Sequence, residues 1–279
     1  MKYIFFALFS LIVLHSGAQY YYTDLENARI LSARAKSLFT GKVKTITATG
    51  YDPRGAKTTD YNEIQDVDPG QRSFKVSTRN GLQVSRVTYQ FDELFRPLTV
   101  SDNSAGFSTT TTYSYNASGN ITSIRTSTTD SLNDFSRVEE HQFTWNSAGK
   151  PEKLWRILDN RDSIEYRFTL DEKGNVGGEQ LFRRNTGFDE IYYYYDEQNR
   201  LTDVVRYDKK TKKLLPDFMF EYDEKGNVIQ QISTLSAVSK SYLIWRYLFN
   251  DKGLKTKEAL YDKQKELQGR IDYTYVFYP

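Results

Sequence analysis

One short pattern recurs along this chain and limits what it can fold into. Residues 168–176, 193–201 and 220–228 each place an aromatic residue (Phe168, Tyr193, Phe220), an apolar or aromatic residue two positions on (Leu170, Tyr195, Tyr222), Asp immediately after (Asp171, Asp196, Asp223) and Gly174, Asn199 or Gly226 three residues later. Looser copies stand at 113–121, 143–151 and 247–253, with Asn116, Asn146 and Asn250 in the Asp position, and at 89–96 with Asp92. Tyr51-Asp52-Pro53-Arg54-Gly55 opens the series, and Tyr273 and Tyr275 close it as a lone terminal strand. The residue before the Asp or Asn falls at 91, 115, 145, 170, 195, 222 and 249, in steps of 24 to 30. Self-similarity at such a step is the signature of a stacked supersecondary unit.

Each position in the unit has a physical role. Side chains alternate along a strand, so two aromatics two apart share one face. Asp or Asn at a strand end bonds its own backbone and starts a turn, and Gly three residues later supplies positive φ. Asn199 suits that slot, because Asn adopts positive φ more readily than other non-glycine residues. Phe95 does not, and a different loop geometry is expected there. After the turn, apolar residues stand two and five positions past the slot: Ile121 and Ile124, Pro151 and Leu154, Leu201 and Val204. A spacing of three crosses to the other face, so either a bulge shifts the register or both faces are partly covered.

One period holds two strands, a tight turn and a longer return. The series therefore gives on the order of 16 strands, too many for an open twisted sheet without curling. The expected fold is all-β: antiparallel hairpin repeats forming a large, strongly curved or barrel-like sheet over residues 42–279. One short N-terminal helix is expected within residues 19–41, because Leu25, Ala28, Leu31, Ala35 and Leu38 keep helical spacing. Thr23 reads as its N-cap, with Glu26 completing a capping box. Residues 1–18 read as a signal peptide: Lys2, an apolar run over 3–14, then Ser16-Gly17-Ala18, with cleavage before Gln19. The apolar run is short of the roughly 20 residues that a membrane-spanning helix needs. The protein is then exported to the periplasm, the cell surface or the medium, with no transmembrane helix after cleavage.

The strings YDEQNRLTDV, YDEKGNVIQQI and YNASGNITSI resemble the tyrosine-aspartate (YD) repeats of the Rhs family, and the resemblance covers about residues 88 to 275. The chain is similar to the short secreted YD-repeat and porin-like β proteins of Bacteroidetes-type bacteria. The resemblance implies a β-sheet shell and carbohydrate binding. Large members carry dozens of repeats and a C-terminal effector; this chain has few repeats and ends in YTYVFYP, so a cocoon with cargo is not expected.

Composition narrows the function. There is no Cys, and the two His include His15 in the leader, which leaves His141. Disulfides, thiol catalysis and multi-histidine metal sites are excluded, and no cofactor is expected. Lys and Arg total 38 against 36 Asp and Glu, so there is no basic footprint for nucleic acid. No enzyme activity is expected, because among 36 acidic residues some carboxylate pair can always be found, Cys is lacking and His is scarce; turn chemistry accounts for the Asp-Glu-Lys-Gly-Asn loops without calcium. His141 in EEHQF reads as part of a solvated polar edge, with Glu140 on the opposite face. The aromatic residues at equivalent positions should stack across strands as a core ladder. Trp145, Tyr193, Tyr195 and Tyr222, helped by Trp155 or Trp245, are the candidate ligand-binding residues if part of that ladder is exposed to sugar faces. The expected function is an exported cell-envelope or surface scaffold or binding module whose partner is a glycan or another envelope protein. The alternative is an outer-membrane β-barrel.

Overall fold

The computed structural model describes residues 20–104, 106–130, 133–208, 211–236 and 241–279. The proposed signal peptide lies outside the described residues. One helix, α1 (Tyr22–Thr40), precedes β1 (Val43–Tyr51), β2 (Lys57–Asp68), β3 (Ser73–Asn80), β4 (Gln83–Phe91), β5 (Pro97–Ser104), β6 (Phe107–Tyr115), β7 (Ile121–Asp130), β8 (Phe135–Trp145) and β9 (Pro151–Leu158). There follow β10 (Asp162–Leu170), β11 (Val176–Arg183), β12 (Thr186–Tyr195), β13 (Leu201–Asp208), β14 (Lys213–Tyr222), β15 (Val228–Ser236), β16 (Ser241–Phe249), β17 (Lys255–Tyr261) and β18 (Leu267–Phe277). Each strand pairs antiparallel with its neighbours in sequence, and β1 pairs with both β2 and β18. The sheet is thus a closed ring of 18 strands with no free edge. The last strand is not a lone one: β18 joins β17 to β1. The number of strands is of the order that the repeat predicts, and β3 pairs with β2 ahead of the clear copies.

The turns repeat one geometry. In the Asp196 turn the Asn199 N–H donates to the Asp196 carbonyl at 3.1 Å and the Asp196 N–H donates to the Arg200 carbonyl at 3.0 Å. Asp196 Oδ1 accepts from the N–H groups of Gln198 and Arg200. Asp52, Asp92, Asn116, Asn146, Asp171, Asp223, Asn250 and Asp262 build equivalent backbone turns. Contrary to expectation, Phe95 takes the same turn, with φ +63°. Its ring packs 6.1 Å from Phe39 at the end of the helix, and that apolar contact offsets the unfavourable backbone angle. The turn at Asp262 uses Lys265 at φ +62° and was concealed in the sequence by the lack of Gly. Gly226, at φ +84° with open space where a Cβ would stand, isolates the conformational contribution. Gly226→Ala is expected to cost about 1–2 kcal/mol through φ alone, read as a lowered thermal midpoint with the fold retained.

A bulge after each turn resolves the spacing of three. Tyr195 pairs with Leu201 and Tyr194 with Asp203, so Thr202 is an extra residue and Leu201 and Val204 both turn inward. The same shift occurs between β6 and β7, where Tyr115 pairs with Ile121 and Ser114 with Ser123. The inner face therefore carries a continuous core, including Phe74, Tyr89, Tyr113, Phe143, Leu154, Phe168, Tyr193 and Tyr273.

Helix α1 lies across one mouth of the ring. It has 19 residues, about 28 Å at the standard rise. Its C-terminal end meets Phe91 and Phe95, and its N-terminal end meets Phe168 and Tyr193, on strands far around the ring. Ala28, Leu31, Ala35 and Leu38 are buried against the barrel, while Arg29, Ile30, Ala33, Lys36 and Thr40 form an exposed face. An amphipathic helix is stable here because its apolar stripe completes the core that the ring leaves open at that mouth.

Candidate functional site

The candidate aromatics stand on the inner face. Tyr193 is 3% exposed, and its hydroxyl donates to Glu179 Oε2 at 2.8 Å. Trp145, Tyr195 and Tyr222 are half-buried near the rim. Their polar handles are engaged: Trp145 Nε1–H donates to the Ile121 carbonyl at 2.7 Å, the Tyr195 hydroxyl to Val176 at 2.8 Å and the Tyr222 hydroxyl to Leu201 at 2.7 Å. Tyr115 and Tyr275 repeat the contact on Pro97 and Lys255. Each bond ties the end of one strand to the start of the strand before it, so these residues stitch neighbouring hairpins together. In the loop next to Tyr222, Arg200 donates to Asp196 Oδ2 and to the Asp223 carbonyl while its guanidinium lies 4.7 Å from the Tyr222 ring centre. Trp155 projects from the outer face, 37% exposed, and Trp245 is half-buried.

The densest polar grouping is where α1 meets the wall, and it overturns the reading of His141 as a solvated edge. His141 points inward, its Nδ1 2.6 Å from Asp24 of the helix and its Nε2 3.0 Å from Glu139. Arg156 closes the group through two bonds of 2.8 Å to Glu139. Tyr21 stands edge-on to the imidazole at 4.9 Å. Burial works against a charged imidazole, but Asp24 and then Glu139 outweigh it and raise His141 to about 9. Burial also opposes the Glu139 charge, yet His141 and Arg156 hold that carboxyl well below the usual range. Glu140 faces away, as alternation requires, and accepts from Ser123 and Arg125.

The helix start differs from the expected capping box. Tyr21 occupies the cap position and no side chain of the helix caps it. Instead Glu179 of β11 receives the N–H groups of Tyr21 at 3.1 Å and Tyr22 at 2.8 Å. Thr23 is already helical, and its hydroxyl bonds back to the Tyr20 carbonyl. A carboxyl at a helix N-terminus satisfies orphan donors and meets the positive end of the helix dipole. Glu179 is fully enclosed; burial raises its carboxyl to about 7 against the pull of the Tyr22, Tyr21 and Tyr193 donors. Close by, the Tyr20 hydroxyl donates to Asp217, which also pairs with Arg206 at 3.0 Å. At the other end of the helix Arg34 donates to Gln65 at 2.7 Å, and Gln65 donates to the buried Glu63 at 2.6 Å.

Glu179 had a signal in the sequence. It occupies the inward slot that Ile124, Leu154 and Val204 fill in other copies. A carboxylate in that slot must meet donors inside the barrel. What these groups do together is attach the helix to the wall. They are mutually satisfied, and among the described residues no group of three or more His, Asp or Glu is placed to hold a metal ion.

No known family profile matches the chain, and no curated protein is similar enough in sequence to count as a relative. Among solved structures it is similar to the Tc holotoxin pore of Photorhabdus luminescens, with 12% identity and a TM-score of 0.33 over 77% of this chain and 12% of that one. It is also similar to a porin-like protein from Bacteroides uniformis, with 11% identity and a TM-score of 0.37 over 84% of this chain and 96% of that one. A second porin-like protein, from Bacteroides vulgatus, aligns with 12% identity and a TM-score of 0.27 over 84% and 98%. At such scores these likenesses carry no information about ligand or chemistry.

Proposed function

We propose that this β-barrel protein is an exported, non-enzymatic component of the cell envelope, stoppered by its own helix, that acts as a scaffold or binding module for a glycan or another envelope protein. The observation that carries the reading is how the two faces are sorted. The inner face holds the core, while the outer face carries Lys75, Arg86, Arg125, Glu140, Glu165, Arg167 and Arg246 within its strands. A lipid-facing wall needs an apolar outer band, and Arg or Lys at the bilayer midplane costs about 2–4 kcal/mol each. A wall of this composition favours water outside. The recurring Asx turns and the stitching aromatics support placing the chain with the YD-repeat proteins.

A second reading, an outer-membrane barrel, is favoured by the closed ring of an even number of antiparallel neighbours, the architecture such barrels share. The outer face of β9 to β13 also carries Trp155, Tyr192, Tyr194 and Tyr207. Fractionation of producing cells separates the two. The water-facing reading expects the protein in the periplasmic or secreted fraction without detergent. Recovery only from detergent-extracted outer membrane would replace it with the second reading.

A further inference from the structure

Beside the bond from the Tyr20 hydroxyl to Asp217, a carboxyl that burial raises and Arg206 pairs, the start of α1 is held at two further points by titratable groups that touch different parts of the helix. At one, Glu179 of β11 accepts the N–H groups of Tyr21 and Tyr22 and is faced by Tyr193 from β12, Tyr166 from β10, Asp24 from the helix and Tyr20 just before it. At the other, His141 of β8 bonds Asp24 and is faced by Glu139 from its own strand, Arg156 from β9, Tyr166 from β10 and Tyr21 from the helix. With the helix in place Glu179 is buried and the His141 side chain is 14% exposed. Moving α1 out of the mouth returns Glu179 to water and takes Asp24 away from His141. The helix joins the wall directly at its C-terminal end, through Gly41 and Lys42.

We propose that α1 is a proton-responsive stopper, held in the barrel mouth by protonated Glu179 and protonated His141 and progressively released as each loses its proton. The two groups act over adjoining ranges. Glu179 moves from an ordinary 4.5 when exposed to about 7 when covered, so raising the pH through that interval ionises it in the open form first and favours opening. His141 moves from an ordinary 6.5 to about 9 when its partners are in place, so its contribution is complete below 6.5 and lost as the pH rises through 9. Glu139, held well below its usual range by His141 and Arg156, stays ionised throughout. The effects have the same sign and follow one another, which makes a latch that loosens steadily from mildly acidic to alkaline conditions. At the other end the Phe39 contact is apolar, and the Arg34 contact runs through Gln65 to Glu63, a carboxyl that burial also raises.

The chain has no cysteine, and Ala28 is 4% exposed under the helix. Ala28→Cys in the full chain therefore provides a single thiol that a small maleimide reaches only when the stopper opens. Labelling rates from pH 5 to 9, divided by those of an unstructured peptide thiol at the same pH, should climb by up to about tenfold per pH unit. Glu179→Gln should flatten the profile below pH 7 and leave the alkaline limb. His141→Gln should flatten it above pH 7 and leave the acidic limb. A merely structural role would shift the absolute rates without changing either slope. A corrected profile in Ala28→Cys alone that changes less than threefold across the range overturns the proposal, and so do limbs that survive their substitutions. Should either second substitution prevent folding, the Ala28→Cys profile decides alone.

Discussion

Phe74→Ala is expected to lower the unfolding free energy by about 3–5 kcal/mol. Phe74 is fully buried, stacks on Tyr89 at 4.5 Å and Phe91 at 5.5 Å, and has the Arg34 guanidinium 5.0 Å from its ring centre. Its removal opens a void where strand, neighbouring strand and helix meet. Hydrogen-bonded strands on both sides of β3 keep the wall from collapsing into that space. The measurement is denaturant unfolding, where the midpoint should fall with little change in the denaturant dependence, because the surface exposed on unfolding is nearly the same. A loss below about 1 kcal/mol would mean that the ring and helix are not packed against each other at this point.

Glu179→Ala is expected to cost about 2–4 kcal/mol at pH 6. It leaves the Tyr21 and Tyr22 N–H groups and the Tyr193 hydroxyl without their acceptor in a site closed to water. The neutral amide of Glu179→Gln keeps an acceptor in place and should cost much less at that pH. Above pH 7 the comparison changes in a defined direction, since the wild-type carboxyl then carries a buried charge and the amide does not. Thermal midpoints of the two variants and the wild type at pH 6 and pH 8 test both statements. Equal losses for Ala and Gln at pH 6 would show that shape rather than hydrogen bonding holds the helix start.

The contrast between Glu179 and the turn residues shows which parts of the structure could be read locally. Asp196 and Asn199 act within five residues of each other, so their spacing announces the turn they make. The aromatic positions announce an inner face, whereas the spacing of Leu201 and Val204 admits either a bulge or two partly covered faces, and the pairing of Tyr194 with Asp203 decides for the bulge. The candidate site was legible only as that aromatic layer. Trp145, Tyr195 and Tyr222 proved to spend their polar handles on the preceding strand. Phe95 misled because the local rule against a bulky residue at positive φ is outweighed by packing on Phe39, 56 residues earlier.

The chain by itself determined the repeating hairpin, its turn chemistry, the face that carries the core and the presence of one N-terminal helix. All of these depend on interactions within a few residues, so their signals survive in a short window of sequence. Only the tertiary structure decided that the ring closes between β1 and β18, that the helix stoppers one mouth, and that Glu179 and His141 anchor it. Those outcomes join Val43 to Phe277, Tyr22 to Glu179 and Asp24 to His141. Contacts over such separations depend on the curvature accumulated around all 18 strands, which no single repeat encodes.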